Sequence, residues 1–326
     1  MTPVRRLGRW LAALALITLA GAAFAQGFPN RPVRLVVADA AGGAPDQLAR
    51  LVAQKVSESL GQQVVVDNRA GAGGVLGAES VAKSPPDGYT LLMTTTAIYA
   101  ILPNLRKDLP YDPVRDFVPI GRIATASNVL VVNNALPAQN VAELVRYAKE
   151  RPGALNYASA GIGTPAHLAG EMLNLLADIK VTHIPYKGAA PGLLDVIAGN
   201  AQYIITSPIA AGAHMGAGRV RALASTGTER NPALPDVPTV ADTLPGYEIT
   251  QSWGVVAPAG TPPDVVKRLG DEFAKALANT DVKDRILKTG AVPASSDSPA
   301  AFADFMAKER GRLGDVIARS KIELKE

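Results

Sequence analysis

Residues 33–67 read VRLVVADAAGGAPDQLARLVAQKVSESLGQQVVVD, and this stretch decides the fold class. Val33 to Ala38 is a short apolar run rich in β-branched residues, the pattern of a strand covered on both faces. From Asp46 to Leu60 the period changes: Leu48, Leu51, Val52, Val56 and Leu60 share one helical face, and Arg50, Lys55 and Glu58 the other. Gly61 suits the left-handed position that ends a helix, and Val64 to Asp67 returns to the strand pattern. Strand, helix and strand in this order make a βαβ beginning, so the chain is α/β.

The same rhythm continues outward. Thr90 to Met93 follows the turn Pro86-Asp87-Gly88, and Asn128 to Val132 leads into a helix from Val141, where Asn140 and Glu143 have capping-box spacing. Pro152-Gly153 ends that helix and Leu155 to Ala158 reads as a strand. Thr164-Pro165 has the form of an N-cap followed by proline in the first turn. Val181 to Ile184, Tyr203 to Thr206 and Val220 to Ala224 are further strands, with helices near Pro191 to Ala198 and Ala210 to Ala217. A strand near Ile249 to Val256 precedes helices near Pro262 to Ala278, Asp281 to Thr289 and Pro299 to Ser320.

At the N-terminus, Arg5, Arg6 and Arg9 precede an apolar run from Trp10 to Phe24 that closes on Ala23-Phe24-Ala25. This is the pattern of a cleaved secretory signal peptide over residues 1–25, with a mature start at Gln26. Its removal lowers the 33 basic residues to 30 against 29 acidic ones, so the net charge falls from +4 to +1. A nearly neutral mature chain with no run of Lys and Arg lacks a nucleic-acid footprint. There is no cysteine, so a protein bound for an oxidising compartment rests on its core alone, without disulfides or thiolate metal sites.

In parallel sheets, ligands sit beyond the carboxyl ends of strands, where helix N-termini offer unpaired N–H groups. Four loops there are rich in small and hydroxyl residues: Ala40 to Ala44, Thr94-Thr95-Thr96, Ser159 to Thr164, and Thr206-Ser207. Their backbone and hydroxyl donors suit an anion. His167, His183 and His214 lack metal-ligand spacing, and no Gly-x-Ser-x-Gly occurs, so neither a metal site nor a serine nucleophile is indicated. Gly71 to Gly77 only weakly matches a dinucleotide fingerprint, because Asn68-Arg69-Ala70 separates it from the strand. Asp46 is a general-base candidate, but a carboxylate in the first turn of a helix is favoured by the dipole whatever its function. Lys187 reads equally as an anion contact and as a solvated loop lysine.

Several motifs, taken in chain order, resemble the tripartite tricarboxylate transporter receptors, also known as the Bordetella uptake gene (Bug) proteins. They are Pro29 to Pro32, Val66 to Gly74, Ser84 to Leu92, Leu109 to Pro113, Leu155 to Ser159, His183 to Gly188, Leu234 to Thr239 and Ala257 to Pro262. The resemblance spans the mature chain. It implies a two-lobe periplasmic binding protein fold of type II, each lobe a mostly parallel sheet flanked by helices, with the ligand in the cleft between lobes. Lobe 1 is expected at residues 26–124 and 249–326 and lobe 2 at 125–248, with hinge strands near Val118 to Ala124 and Ile249 to Val256.

The resemblance also implies that the ligand carboxylate is held by the first strand–helix loop and its facing loop. The expected ligand-binding set is Ala41, Gly42, Gly43, Ala44, Asp46, Thr94, Thr95, Thr96, Ser159, Gly163, Thr164, Ala166, His167, Lys187, Thr206 and Ser207. The family's Pro-Gly-Gly-Ala-Thr-Asp becomes Ala41-Gly42-Gly43-Ala44-Pro45-Asp46 here, and Ser-Gly-Asn-Gly-Thr becomes Ala160-Gly161-Ile162-Gly163-Thr164, which points to a less polar ligand. Thr206-Ser207 stands where many relatives carry Asp-Asn, which disfavours an amino-acid ligand. The expected function is that of a periplasmic, non-enzymatic receptor that closes on a small organic carboxylate and delivers it to the membrane permease subunits. It needs no cofactor or metal and acts as a monomer. A ligand-presenting protein for a two-component sensor and a secreted enzyme acting on a carboxylate are the alternatives.

Overall fold

The computed structural model describes residues 28–231, 233–294 and 298–320; the signal-peptide assignment at residues 1–25 lies outside the described residues. The chain enters a first sheet with β1 (Val33–Val37), β2 (Val64–Asn68), β3 (Thr90–Thr95) and β4 (Phe117–Ser127). It then builds a second sheet from β5 (Val129–Asn133), β6 (Asn156–Ser159), β7 (Thr182–Pro185), β8 (Tyr203–Thr206) and β9 (Val220–Ser225). It returns to the first with β10 (Thr250–Pro258) and β11 (Val292–Pro293). The strand orders are β11-β4-β10-β3-β1-β2 and β7-β6-β8-β5-β9.

Parallel pairing holds β2, β1 and β3 together in one sheet and β7, β6 and β8 in the other. The strands beside each crossover run the opposite way, β10 against β3 and β4, and β5 against β8 and β9. The β4–β10 pair is the longest, running from Phe117 opposite Pro258 to Ser127 opposite Thr250. That length carries β4 beyond the expected Val118 to Ala124.

Ten helices cover the sheets among the described residues: α1 (Ala44–Leu60), α2 (Val75–Ala82), α3 (Leu102–Leu105), α4 (Val141–Glu150), α5 (Pro165–Ala177), α6 (Ala189–Ala198), α7 (Pro208–Gly216), α8 (Pro263–Ala278), α9 (Thr280–Lys288) and α10 (Pro299–Ser320). A wide helical turn at Ala97–Ile101 runs straight into α3. Alternation along β1 shows why both faces need cover. Val33, Leu35 and Val37 join the cluster under α1 and α8, while Val36 faces the cluster under α2 and α10. The second sheet divides likewise, with Leu130 and Val132 on one side and Val129 and Val131 on the other.

Local signals set the helix ends. Gly61 ends α1 at φ 73°, its N–H bonded to Ser57 O at 3.1 Å. Asn140 accepts from Glu143 N–H at 2.9 Å, while the Glu143 carboxylate reaches back to Gln139 N–H at 2.7 Å. The C-terminal α10 spans both layers of the molecule: Phe302 joins the cluster of the first sheet, and Leu313 and Ile317 join that of the second. Phe302 lies edge-on to Tyr99 at 6.5 Å between ring centroids, over Gly254, where a side chain would strike the ring. Phe302→Ala is therefore expected to cost about 3–5 kcal/mol in a urea titration. Val292→Ala on the exposed face of β11 should change stability by less than about 0.5 kcal/mol.

Candidate functional site

A cavity of about 60 Å³ lies between the two sheets. It has room for about four to six waters at roughly 10–15 Å³ each. From the first sheet's side it is walled by Ala38, Asp39, Ala44 and Pro45 of the β1–α1 connection, by Gly71, Gly73 and Gly74, and by Thr95 and Ala97. From the second it is walled by Ala160 and Thr164 to Ala166, by Lys187 to Ala189, and by Thr206 and Ser207. Asn128, between the sheets, and Gln251 and Trp253 of β10 complete the lining. The two sides meet closely. A Cβ added to Gly73, which has φ +67°, would lie 2.2 Å from Ile162 O, so only glycine permits this approach.

Among the described residues four helices begin against this cavity, each after a strand end and a cap, and three of them with an early proline. Gly43, Thr164, Gly188 and Ser207 are the N-caps of α1, α5, α6 and α7, and proline lies in the first two positions of α1, α5 and α7. Thr164 Oγ1 accepts from His167 N–H at 3.3 Å and donates to Gly161 O at 2.7 Å. Ser207 Oγ accepts from Ile209 N–H at 3.0 Å, which leaves its own hydrogen to donate. The converging N–H groups and dipoles favour a negative charge in the space between them.

Where the strands cross, a polar knot closes the cavity. Asn128 N–H donates to Thr226 Oγ1 at 2.8 Å and Thr226 N–H returns to Asn128 O at 2.9 Å. Gln251 Nε2 donates to the side-chain oxygen of Asn128. Asn128 is fully buried, and its Nδ2 has no hydrogen-bond partner among the described residues. A buried amide donor left open costs about 1–3 kcal/mol, and here it lies in the wall of a cavity.

Of the expected ligand-binding residues, Ala44, Thr95, Thr164, Ala166, Lys187, Thr206 and Ser207 line the cavity. The others stand behind the wall or outside it. Ala41 and Gly42 are exposed, and Gly43 is buried as the cap of α1. Asp46 is engaged within its own helix: it accepts from Gly42 N–H at 2.9 Å and pairs with Arg50 at 2.9 Å. Burial alone would raise its carboxyl, but Arg50 and the Gly42 N–H hold it below the usual carboxylate range. Thr94 is buried in β3, and Thr96 Oγ1 accepts from Ser252 N–H at 2.8 Å and meets the Tyr99 hydroxyl at 3.2 Å. Ser159 and His167 form a second layer beneath the 160–164 loop, and Gly163 belongs to that loop without lining the cavity.

Sequence reasoning missed Asp39, Asn128, Gln251 and Trp253, which carry no local signature. The Gly71–Gly74 stretch did carry one. Read as a weak nucleotide fingerprint, it is instead the close-approach wall of this cavity. Thr206-Ser207 brings no carboxylate to the site, but Asp39 does so from the opposite side.

In the second layer, the rings of His167 and His183 stack at 4.3 Å, and His183 stacks on Tyr157 at 4.8 Å. His183 Nε2 meets Ser159 Oγ at 2.6 Å, and His167 Nδ1 accepts from Gly163 N–H at 3.3 Å. Burial lowers His167 to about 4, and burial together with the neighbouring His167 lowers His183 to about 3. Both are neutral when folded and take up protons near 6.5 when unfolded, so acid favours the unfolded chain. Stability should fall as pH drops from about 6.5 towards 4, by about 3 kcal/mol for His167. A His167→Gln/His183→Gln variant should show a shallower decline in pH-dependent urea melts; an unchanged slope would place the titration elsewhere.

Residues 48–322 match the family model described as "Tripartite tricarboxylate transporter family receptor". The chain is 40% identical over 319 residues to the "UPF0065 protein in tcbD-tcbE intergenic region" of Pseudomonas sp. strain P51, covering 96% of this chain and 94% of that one. Among solved structures, R. palustris Rpa4515 with adipate superposes with a TM-score of 0.88 at 37% identity, over 91% of this chain and 99% of that one. MatC from Rhodopseudomonas palustris with bound malate gives a TM-score of 0.85 at 32% identity, over 89% and 100%. With two helix-flanked sheets, a cavity between them and these matches along nearly its whole length, the chain belongs to the tripartite tricarboxylate transporter receptor family.

Proposed function

We propose that this protein is a periplasmic solute-binding receptor that captures a small organic carboxylate by closing its two lobes and delivers it to the permease subunits of a tripartite tricarboxylate transporter. The observation that carries this reading is the Asn128 side chain, a fully buried amide whose Nδ2 donor is unpartnered in the wall of the interlobe cavity. Around the same space converge the N-termini of α1, α5, α6 and α7 and the hydroxyls of Thr95, Thr206 and Ser207. Such fixed donors replace the water shed by a carboxylate on closure. Relatives of this length and fold have been solved with adipate and with malate, both small organic acids.

The moving units are residues 26–124 with 249–326 and residues 125–248, turning about β4 and β10. No step of this function alters the ligand, and no group in the cavity wall is arranged as a nucleophile with its base. Ser159 does meet His183, but Ser159 is fully buried behind the lining.

A thermal-shift screen of the mature protein should show melting temperatures raised by particular carboxylates and not by their methyl esters or amides. The bound acid should be recovered chemically unchanged. Stabilisation by neutral or cationic compounds alone, or turnover of the acid, contradicts the reading. Asn128→Asp places a like charge against the ligand in nearly the same volume, and it should weaken binding of the best acid by more than about tenfold. Isothermal titration calorimetry measures this, with circular dichroism confirming the fold.

A further inference from the structure

Among the described residues, two that carry charge line the interlobe cavity: Lys187, itself exposed, from the second sheet's side and the half-buried Asp39 from the first. Lys187 was foreseen as a possible anion contact. Asp39 is unexpected in a site otherwise furnished with hydrogen-bond donors.

Its placement is specific. Asp39 Oδ1 accepts from Ala40 N–H at 2.7 Å. It also faces the N-terminus of α6, whose cap Gly188 has φ +129° and whose first residue, Ala189, directs its N–H toward the carboxyl. A Cβ on Gly188 would lie 2.3 Å from Asp39 Oδ1 and 2.7 Å from Ala40 Cβ, so the carboxyl is pressed against the opposite lobe. Of the four helix N-termini that converge on the cavity, the one at α6 is thus already answered by a carboxyl of the protein itself. Burial pushes the Asp39 carboxyl up to about 7, with the Asp46 charge adding to the shift and the Ala40 and Ala189 N–H groups opposing it. The surroundings therefore resist even one negative charge at this end.

We infer that Asp39 sets the ligand class, restricting this receptor to acids with a single carboxylate and excluding dicarboxylates. One ligand carboxylate is matched by Lys187 and by the donors of Asn128, Thr206 and Ser207. A second, at the far end of a dicarboxylate, meets Asp39 with no further cation in the lining among the described residues. Above pH 7, where Asp39 is ionised, this sets two like charges side by side without a counter-charge as water is shed, which is strongly unfavourable. This assignment rests on the carboxylate-receptor reading above and adds the number of charges the ligand carries.

The test is a set of matched pairs: butyrate against succinate, hexanoate against adipate, octanoate against suberate, and benzoate against phthalate. Each is titrated calorimetrically at about pH 8.5, where Asp39 is ionised, into the mature wild-type protein and into Asp39→Asn, with ligand-free melting curves recorded for both. Asparagine keeps an oxygen for the Ala40 and Ala189 N–H groups and removes the charge. The wild type should bind the monocarboxylate of at least one pair and its dicarboxylate more weakly by about tenfold or more. Asp39→Asn should narrow or reverse that ratio. Preference of the wild type for the dicarboxylate, or a ratio unchanged by Asp39→Asn with the fold intact, overturns this inference and leaves the receptor reading standing. Should Asp39→Asn unfold, the wild-type ratios alone decide. If no carboxylate binds the wild type, both the inference and the receptor reading fall.

Discussion

The antiparallel pairing of Phe117–Ser127 with Thr250–Pro258 is the constraint on which the rest of the structure depends. These two strands lie side by side in the first sheet, and from their adjacent ends the chain leaves for the second sheet and comes back. Both covalent links between the sheets thus start from one hydrogen-bonded ladder, which is the arrangement that the proposed lobe closure would use as its axis. Asn128 and Thr226 clasp each other at that axis, and Gln251 binds Asn128 from the returning strand. Asn128 and Gln251 also line the cavity, so in the proposed closure the axis and the floor of the site would share the same side chains. A ligand that occupies the open Asn128 donor touches the hinge directly.

The chemistry of the cavity follows from fold geometry. A strand that ends at the cleft and is followed by a cap and an early proline turns its next helix so that the first N–H groups face inward, and this happens from both sheets. The donors are backbone groups and short hydroxyls held by packed elements, so little ordering remains to be done when an anion arrives. Asp39 departs from this plan as a carboxyl among donors, and its burial and the Asp46 charge raise its titration even though the Ala40 and Ala189 N–H groups oppose the shift. Local rules violated within a binding site are where specificity is expected to reside.

Much of the architecture was legible because it rests on short-range signals. Tyr203–Thr206 and Pro299–Ser320 are bounded as their flanking glycines, prolines and periodicities indicate. The first helix is read from Leu48, Val52 and Val56, and its end from Gly61. In the site, Thr164 and Ser207 were legible through their capping positions. Asn128 and Gln251 were not, since they stand 123 residues apart and meet only when β10 returns beside β4. Asp39 was missed for a related reason: an acidic residue after a strand is ordinary, and its distinction is the facing Gly188 from a distant loop. His167 and Ser159 were assigned to the ligand on loop membership, whereas burial behind the loop turns their polar atoms toward Gly163 and His183.

The central claim is that a carboxylate draws the two lobes together over Asn128. The chain has no cysteine, so two can be introduced cleanly, at exposed Leu76 on α2 and at exposed Leu194 on α6. Spin labels at these positions report the separation of the two sides of the cleft by pulsed electron resonance. A carboxylate that raises the melting temperature should shorten and narrow the distance distribution, while its methyl ester leaves it broad. An unchanged distribution in the presence of a bound carboxylate would contradict the account.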